Sequence, residues 1–298
     1  MSKALITDAK RTPERAWLSE VSAVVLQQSL RDLDAAYKNF FDSVSGQRKG
    51  TKVQEPRFKS RKDGRQTVRF TANARFKVTA GRKLSLPKIG EISVRWSREL
   101  PFDPSSVTVV RDAAGRYFAS LVVETDLDND LRRFPFDPDR EYAETGIDLG
   151  LTHFAVLSDG RKVEASKFLR RAERKLAKRQ HELARKVKGS NNRKKAAAKV
   201  AKAHAKVADS RRDFQHKLST TIVRESQAVY VEDLCVKGLA RTRLAKSVHD
   251  AGWSSFTGML EYKCARYGRG FGRIGRFEPS SRTCTTCWAV DGPRSRSA

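Results

Sequence analysis

The spacing of apolar residues changes along the chain. From Pro13 it is helical: Trp17, Leu18, Val21, Val24, Val25, Leu26, Leu30, Leu33, Tyr37, Phe40 and Phe41 recur near a 3.6-residue period. One helix or a kinked pair is predicted, with a stripe that serves core packing. The ten residues before Pro13 are weakly patterned. Over residues 66–124 the period drops to two. TVRFTA, FKVTA, KLSLPKIGEISVRW, SSVTVVRD and GRYFASLVVE alternate apolar with polar positions, and Gly81, Gly90 and Gly115 mark turns. Short antiparallel strands of this kind predict a small β-barrel. Two further strands follow. ETGIDLGLTHFAVLSDG (residues 144–160) reads as a strand, a glycine, a second strand and a turn at Asp159-Gly160; AVYVEDL (228–234) is another strand with acidic residues at its end. Between them, residues 166–188 and 193–225 carry a narrow seam of Leu169, Leu176, Leu183, Val187, Val200, Val207, Phe214 and Leu218, broken by KGSNN. That pattern predicts an antiparallel helical hairpin. Residues 237–250 read as a loop, 253–267 as a helix and 271–277 as a strand.

Charge changes the picture more than composition does. Lys and Arg number 61 against 34 Asp and Glu, a formal net charge of +27. An excess spread along most of the chain favours a polyanionic partner, most simply nucleic acid. A basic structural protein of ribosomal or chromatin type would carry the same charge without an active site. Residues 46–65 (GQRKGTKVQEPRFKSRKDGR) are basic and punctuated by Gly and Pro. Arg57, Lys59, Arg61 and Lys62 surround Phe58 there; they form either a solvated linker or a grip on a phosphate backbone. Residues 126–141 (DLDNDLRRFPFDPDRE) are rich in Asp and Pro and read as a linker. No apolar run reaches membrane-spanning length and no signal-peptide core follows Met1, so a cytoplasmic protein is expected. Four cysteines, Cys235, Cys264, Cys284 and Cys287, fit a reducing compartment better than a disulfide framework.

The candidate chemistry sits at the strand ends. Asp is depleted within strands and costly to bury unpaired, so Asp148, looking buried within GIDLG, needs a partner. A divalent cation is one candidate. Glu232 ends the AVYVE strand, and two such carboxylates side by side would raise each other's pKa unless metal held them ionised. The arrangement suits a Mg²⁺-dependent phosphodiester hydrolase. Alternatively, each acid merely ends a strand or faces solvent. Cys284-Thr-Thr-Cys287 has the spacing of one zinc knuckle, but a structural zinc site needs four ligands. The eleven residues after Cys287 contain no Cys or His, which makes zinc binding doubtful.

GIDLGLTHFAVLSDG, VEDL, LAKSVHDAGWSSF and PSSRTCTTC occur in the order of the TnpB family's motifs. Over nearly its whole length the chain resembles that family, the transposon-encoded, RNA-guided nucleases also called OrfB-type transposases and related to type V CRISPR effectors. The resemblance implies an α/β fold plus a β-barrel. An N-terminal helical segment (1–45) and an oligonucleotide-wedge-like barrel (46–125) would be joined by a linker (126–141) to an RNase H-like (RuvC) nuclease domain. That domain (142–278) would carry an inserted helical hairpin (166–225), followed by a partial zinc ribbon (279–298). Asp148 and Glu232 would be catalytic ligands of Mg²⁺ or Mn²⁺. Guide RNA and target DNA would be the partners. Besides the Phe58 cluster, the wedge residues Arg69, Arg75, Arg95 and Arg98 and the hairpin residues Arg174, Lys178, Arg179, Arg193 and Lys194 would contact nucleic acid.

The chain also departs from the family pattern. Its opening strand is missing, as are a second CxxC and the third catalytic Asp, expected in a string like Asp-Arg-Asp-x-Asn-Ala-Ala. Asp291 follows Cys287 too closely to match that Asp. The expectation is therefore a chain truncated at both ends, with impaired cleavage. The alternative is a nuclease-dead, RNA-guided DNA binder acting as a repressor, or a decaying transposon remnant.

Overall fold

The computed structural model describes residues 2–57, 63–125 and 144–275. The chain forms two compact units, Met1–Thr125 and Asp126–Ala298. Among the described residues no helix is long and apolar enough to cross a membrane.

In the first unit, helix α1 (Ser2–Arg11) occupies the stretch that looked weakly patterned. Pro13, whose fixed φ suits a helix start, opens a 3₁₀ segment (Pro13–Glu20). Helix α2 (Ala23–Val44) then carries the apolar stripe, with Val25 and Gln28 buried. So the helical region begins earlier than its periodicity suggested and is broken near Val21.

The strands form where the alternation placed them, but they pair differently from a closed barrel. β1 (Gln66–Thr71), β5 (Ser106–Arg111) and β6 (Tyr117–Val122) make one antiparallel sheet in the order β1-β5-β6. β2 (Lys77–Val78), β3 (Lys83–Leu86) and β4 (Gly90–Ser93) make another, in the order β2-β3-β4. Among the described residues no strand pairing joins the two sheets. Alternation specifies which face of a strand is buried but not which edge it pairs with. After β1 a 3₁₀ turn (Ala72–Ala74) ends at Arg75 with φ 56°, and β2 is two residues long, so the ladder cannot continue. Phe70, Leu84, Leu86 and Val107 from the two sheets share one core with Val25 of α2. The strand expected to run on through Val94 to Trp96 ends at Ser93, and the Trp96 indole donates to the Arg82 carbonyl at 2.6 Å.

In the second unit a five-stranded sheet has the order β11-β10-β7-β8-β9. β7 (Glu144–Asp148), β8 (His153–Leu157) and β9 (Lys162–Glu164) form an antiparallel meander. β10 (Ala228–Glu232) lies parallel to β7, and β11 (Gly270–Ile274) parallel to β10. In chain order this is a 3-2-1-4-5 sheet with one antiparallel strand at position 2, the RNase H-like topology.

Helix α3 (Phe168–Ala184) and helix α4 (Asn191–Glu225) form the hairpin between β9 and β10. Gly189, at φ +87°, supplies the left-handed turn, and the Ser190 hydroxyl caps α4 by accepting from the Arg193 amide at 3.1 Å. The helices run antiparallel: Phe168 packs edge-on against Phe214, while Arg193 donates to the Leu183 carbonyl. Residues 237–250, expected as a loop, instead contain most of two short helices, α5 (Val236–Leu239) and α6 (Ala245–Ala251). Helix α7 (Trp253–Arg266) starts immediately afterwards. Gly252 joins α6 to α7 at φ +67°, and a Cβ there would lie 3.1 Å from the Gln215 amide nitrogen. Ile147, Leu157, Val229 and Val231 of the sheet pack with Ile222 of α4 and Phe256 and Leu260 of α7. Phe154 meets Phe214 and Phe256 edge-on, with ring centroids 5.2 and 5.0 Å apart.

Candidate active site

Strand alternation positions the acids. On β7, Thr145 and Ile147 are buried, and Leu149 continues that face, so Gly146 and Asp148 point to the other side. On β10, Val229 and Val231 are buried, which turns Tyr230 and Glu232 outward. The parallel register pairs Tyr230 with Gly146 and Val231 with Ile147. One more step sets Glu232 beside Asp148, on the same face and at the carboxyl ends of adjacent strands. Ligands of α/β sheets gather at such ends.

Asp148 is exposed rather than buried, and Glu232 is half-buried. The Asp148 carboxyl is nonetheless pushed above the usual carboxylate range, first by partial desolvation and then by the negative charge of Glu232. Two hard oxygen donors that repel each other fit a divalent cation such as Mg²⁺ or Mn²⁺, which would relieve the repulsion. Among the described residues no group of three or more His, Cys, Asp or Glu side chains converges as a metal site. Removing the Glu232 charge (Glu232→Gln) should bring the Asp148 pKa down. A carbon-detected NMR titration checks this, and an unchanged midpoint would show that the two carboxyls do not interact.

The neighbourhood is narrow because glycines permit it. A Cβ on Gly272 of β11 would lie 2.5 Å from the Tyr230 ring, so only glycine lets that ring lie across β11. The Tyr230 hydroxyl reaches Glu144 at 3.5 Å. A cavity of about 330 Å³ opens where the chain leaves β7, bordered by Gly150, Thr152, Phe168, Arg170, Arg211 and Asp250.

Sequence reasoning missed the polar knot behind this cavity. Asp250 is 7% exposed. It accepts from the Leu169 amide at 2.9 and 3.0 Å and from Arg211 at 3.1 Å, tying α6 to both hairpin helices. Gln215 adds bonds from its amide to the carbonyls of Ala251 (2.8 Å) and Gly252 (3.1 Å). The available signal was two polar residues, Arg211 and Gln215, one helical turn apart and close to the apolar seam of α4.

The expected nucleic-acid contacts are scattered. Arg57 is exposed before β1, whereas Lys59, Arg61 and Lys62 lie outside the described residues. Arg69 pairs with Asp32 of α2 at 3.3 Å, and Arg75, Arg95 and Arg98 are exposed. Arg174 and Lys178 are exposed on α3, and Arg179 pairs with Glu182 at 2.8 Å. Arg193 donates to the carbonyls of Leu183 and Lys186 at 3.0 Å each, closing the end of α3. Lys194 reaches Asn191 at 3.3 Å. Cys284, Cys287 and Asp291 lie outside the described residues.

Family models and known proteins resemble this chain over most of its length. Residues 135–243 match the OrfB_IS605 family model, described as "Probable transposase", and residues 253–297 match the model "Cas12f1-like, TNB domain". A Streptomyces pristinaespiralis protein named "Putative RNA-guided DNA endonuclease" is 45% identical over 98% of this chain and 69% of its own length. The chain belongs to the TnpB/OrfB family. A second family member, "Putative RNA-guided DNA endonuclease InsQ" of Escherichia coli K12, is 31% identical over 87% of this chain and 64% of its own. The chain thus spans about two thirds of these TnpB-family relatives. A solved Cas12f1–sgRNA–target DNA complex aligns over 91% of this chain and 64% of its own, with 13% identity and a TM-score of 0.48.

Proposed function

We propose that this TnpB-family chain is an RNA-guided DNA-binding protein of nuclease ancestry, in which Asp148 and Glu232 hold Mg²⁺ or Mn²⁺. The observation that carries this reading is their side-by-side position on one face of the RNase H-like sheet. When bound, the metal would activate water and stabilise the leaving oxygen of a phosphodiester. The protein's own part is to fix the two carboxylates on rigid strands and to hold nucleic acid by phosphate contacts, while base pairing with a guide RNA supplies sequence specificity. Arg57, Lys59, Arg61, Lys62 and Arg69 in the wedge-like segment, and Arg174, Lys178, Arg179, Arg193 and Lys194 on the hairpin, are the proposed contacts. Cys284 and Cys287 are proposed as half of a zinc knuckle. The proposed domains are those expected from the resemblance, with the nuclease domain at 142–278.

Cleavage by these 298 residues is proposed to be weak. Mg²⁺ requires near-ideal octahedral geometry, and the described residues bring two carboxylates together rather than three. Guided DNA binding should therefore outlast guided cleavage. The test supplies the protein with RNA from its own locus, a matching duplex and Mg²⁺ or Mn²⁺, beside an Asp148→Ala control. Binding in both with little cutting in either is expected. Robust cutting that vanishes in the control would instead make the chain a complete nuclease, with Asp291 the first residue to test as third ligand. Absence of guide-dependent binding would remove the RNA-guided reading altogether.

A further inference from the structure

The two hairpin helices enclose a groove of about 560 Å³, distinct from the carboxylate pair. Arg171, Lys175 and Arg179 line it from α3; Lys199, Lys202 and Lys206 line it from α4. The antiparallel register sets Arg171 opposite Lys206, Lys175 opposite Lys202, and Arg179 opposite Lys199. On each wall the cations recur every three or four residues, about 4.5 to 6 Å at a helical rise of 1.5 Å, a spacing that a phosphodiester backbone can follow. No carboxylate lines the groove among the described residues. Arg179 is held by Glu182 at one end, whereas Lys175, Lys202 and Lys206 are exposed.

The floor is apolar: Ala172 and Leu176 from one helix, Ala203 and Val207 from the other, with Phe168 at one end. Simple charge repulsion would push two rows of like charge apart, so the apolar seam works against a cost that a bound polyanion would remove. Paired cation rows over an apolar floor suit a strand whose phosphates reach both walls and whose unpaired bases and sugars lie on the floor. A duplex keeps its bases stacked and paired, and could touch only the rims.

We propose that the groove between α3 and α4 seats one unpaired nucleic-acid strand, held by Arg171, Lys175 and Arg179 on one side and Lys199, Lys202 and Lys206 on the other. The proposal rests on the nucleic-acid reading above but not on the guide or the metal. It also shifts attention on the hairpin, since of the cations expected there only Arg179 lines the groove.

The test uses the full chain without guide RNA. Fluorescence anisotropy measures binding of labelled single-stranded RNA, single-stranded DNA and a blunt duplex. One variant combines Lys175→Ala, Lys202→Ala and Lys206→Ala. The comparison variant removes equal charge at exposed positions outside the groove, Lys186→Ala, Lys188→Ala and Lys195→Ala. All six changes are compatible with folding: each side chain is exposed, alanine suits the four helical positions, and Lys186 and Lys188 lie in the connection between the two helices. The groove variant should bind single strands on the order of tenfold more weakly than the comparison variant, with a salt slope shallower by roughly 2, three contacts at ≈ 0.7 each. Equal losses in the two variants would overturn the groove as a site. A loss confined to the duplex would overturn the single-strand assignment. Groove-dependent binding by a protein that fails the guided test would sink only the guided reading, so the two failures remain distinguishable.

Discussion

Replacing Asp250 with alanine should destabilise the C-terminal unit by about 3 kcal/mol, a typical cost of removing one member of a buried ion pair. Asp250 is nearly inaccessible, and its carboxylate serves two donors on different helices: the Leu169 amide in the first turn of α3 and the Arg211 guanidinium of α4. Alanine would leave that amide without its acceptor and Arg211 without its counter-ion. The side chain of Arg211 is 25% exposed, so water would recover part of the loss, which puts the cost at the low end of the range. The Arg211 Nε is already buried without a partner, so the site has little slack. Asp250→Asn keeps an acceptor for Leu169 but removes the charge, and should fall between the two. Hydrogen exchange of the first turn of α3, together with the urea midpoint, checks the prediction. A change under ~0.5 kcal/mol, as for an ordinary surface substitution, would mean that the knot contributes nothing to the hairpin's attachment.

That knot also shows where sequence reading stops. The acids at the ends of β7 and β10 were legible because each closes a five-residue strand whose alternation fixes the face of its last side chain. The hairpin was legible because its seam runs for many turns and Gly189 and Ser190 mark its break. β9 escaped notice at three residues, too short to display a period. α6 read as loop because Val248 is its one buried apolar residue. α1 was missed because it is ten residues long, mostly polar and buries little besides Ile6. The barrel expectation failed at pairing, where Arg75 and the two-residue β2 interrupt the ladder. Asp148 was expected to be buried because its neighbours are apolar, yet alternation turns it outward. Contacts such as Asp250 with Arg211 join elements far apart in the chain, and no local pattern reports them.

Lys263 gives the second large effect, on pH dependence. It lies on α7, 5% exposed, and its ammonium donates to the His216 carbonyl (2.8 Å), the Ser219 hydroxyl (2.7 Å) and the Thr220 hydroxyl (2.8 Å) of α4. These acceptors are neutral, and burial pushes the Lys263 pKa from 10.5 down to about 8. In the unfolded chain the group regains its ordinary value. Below pH 8 both states are charged and the penalty of burying the ammonium is fully present. Between about 8 and 10.5 the unfolded chain holds more protons than the folded one, so this residue makes stability rise with pH. The contribution should amount to roughly 2 kcal/mol between pH 7.5 and 10, most of a shift worth 1.36 kcal/mol per unit. Lys263→Met removes the titrating group while keeping an unbranched side chain between α7 and α4. Urea unfolding of both proteins at the two pH values isolates the effect, because other groups titrate alike in each. Wild type should gain on the variant by about that amount as pH rises. Parallel pH dependence in the two proteins would mean that Lys263 keeps its ordinary pKa and that its three acceptors offset the cost of burial.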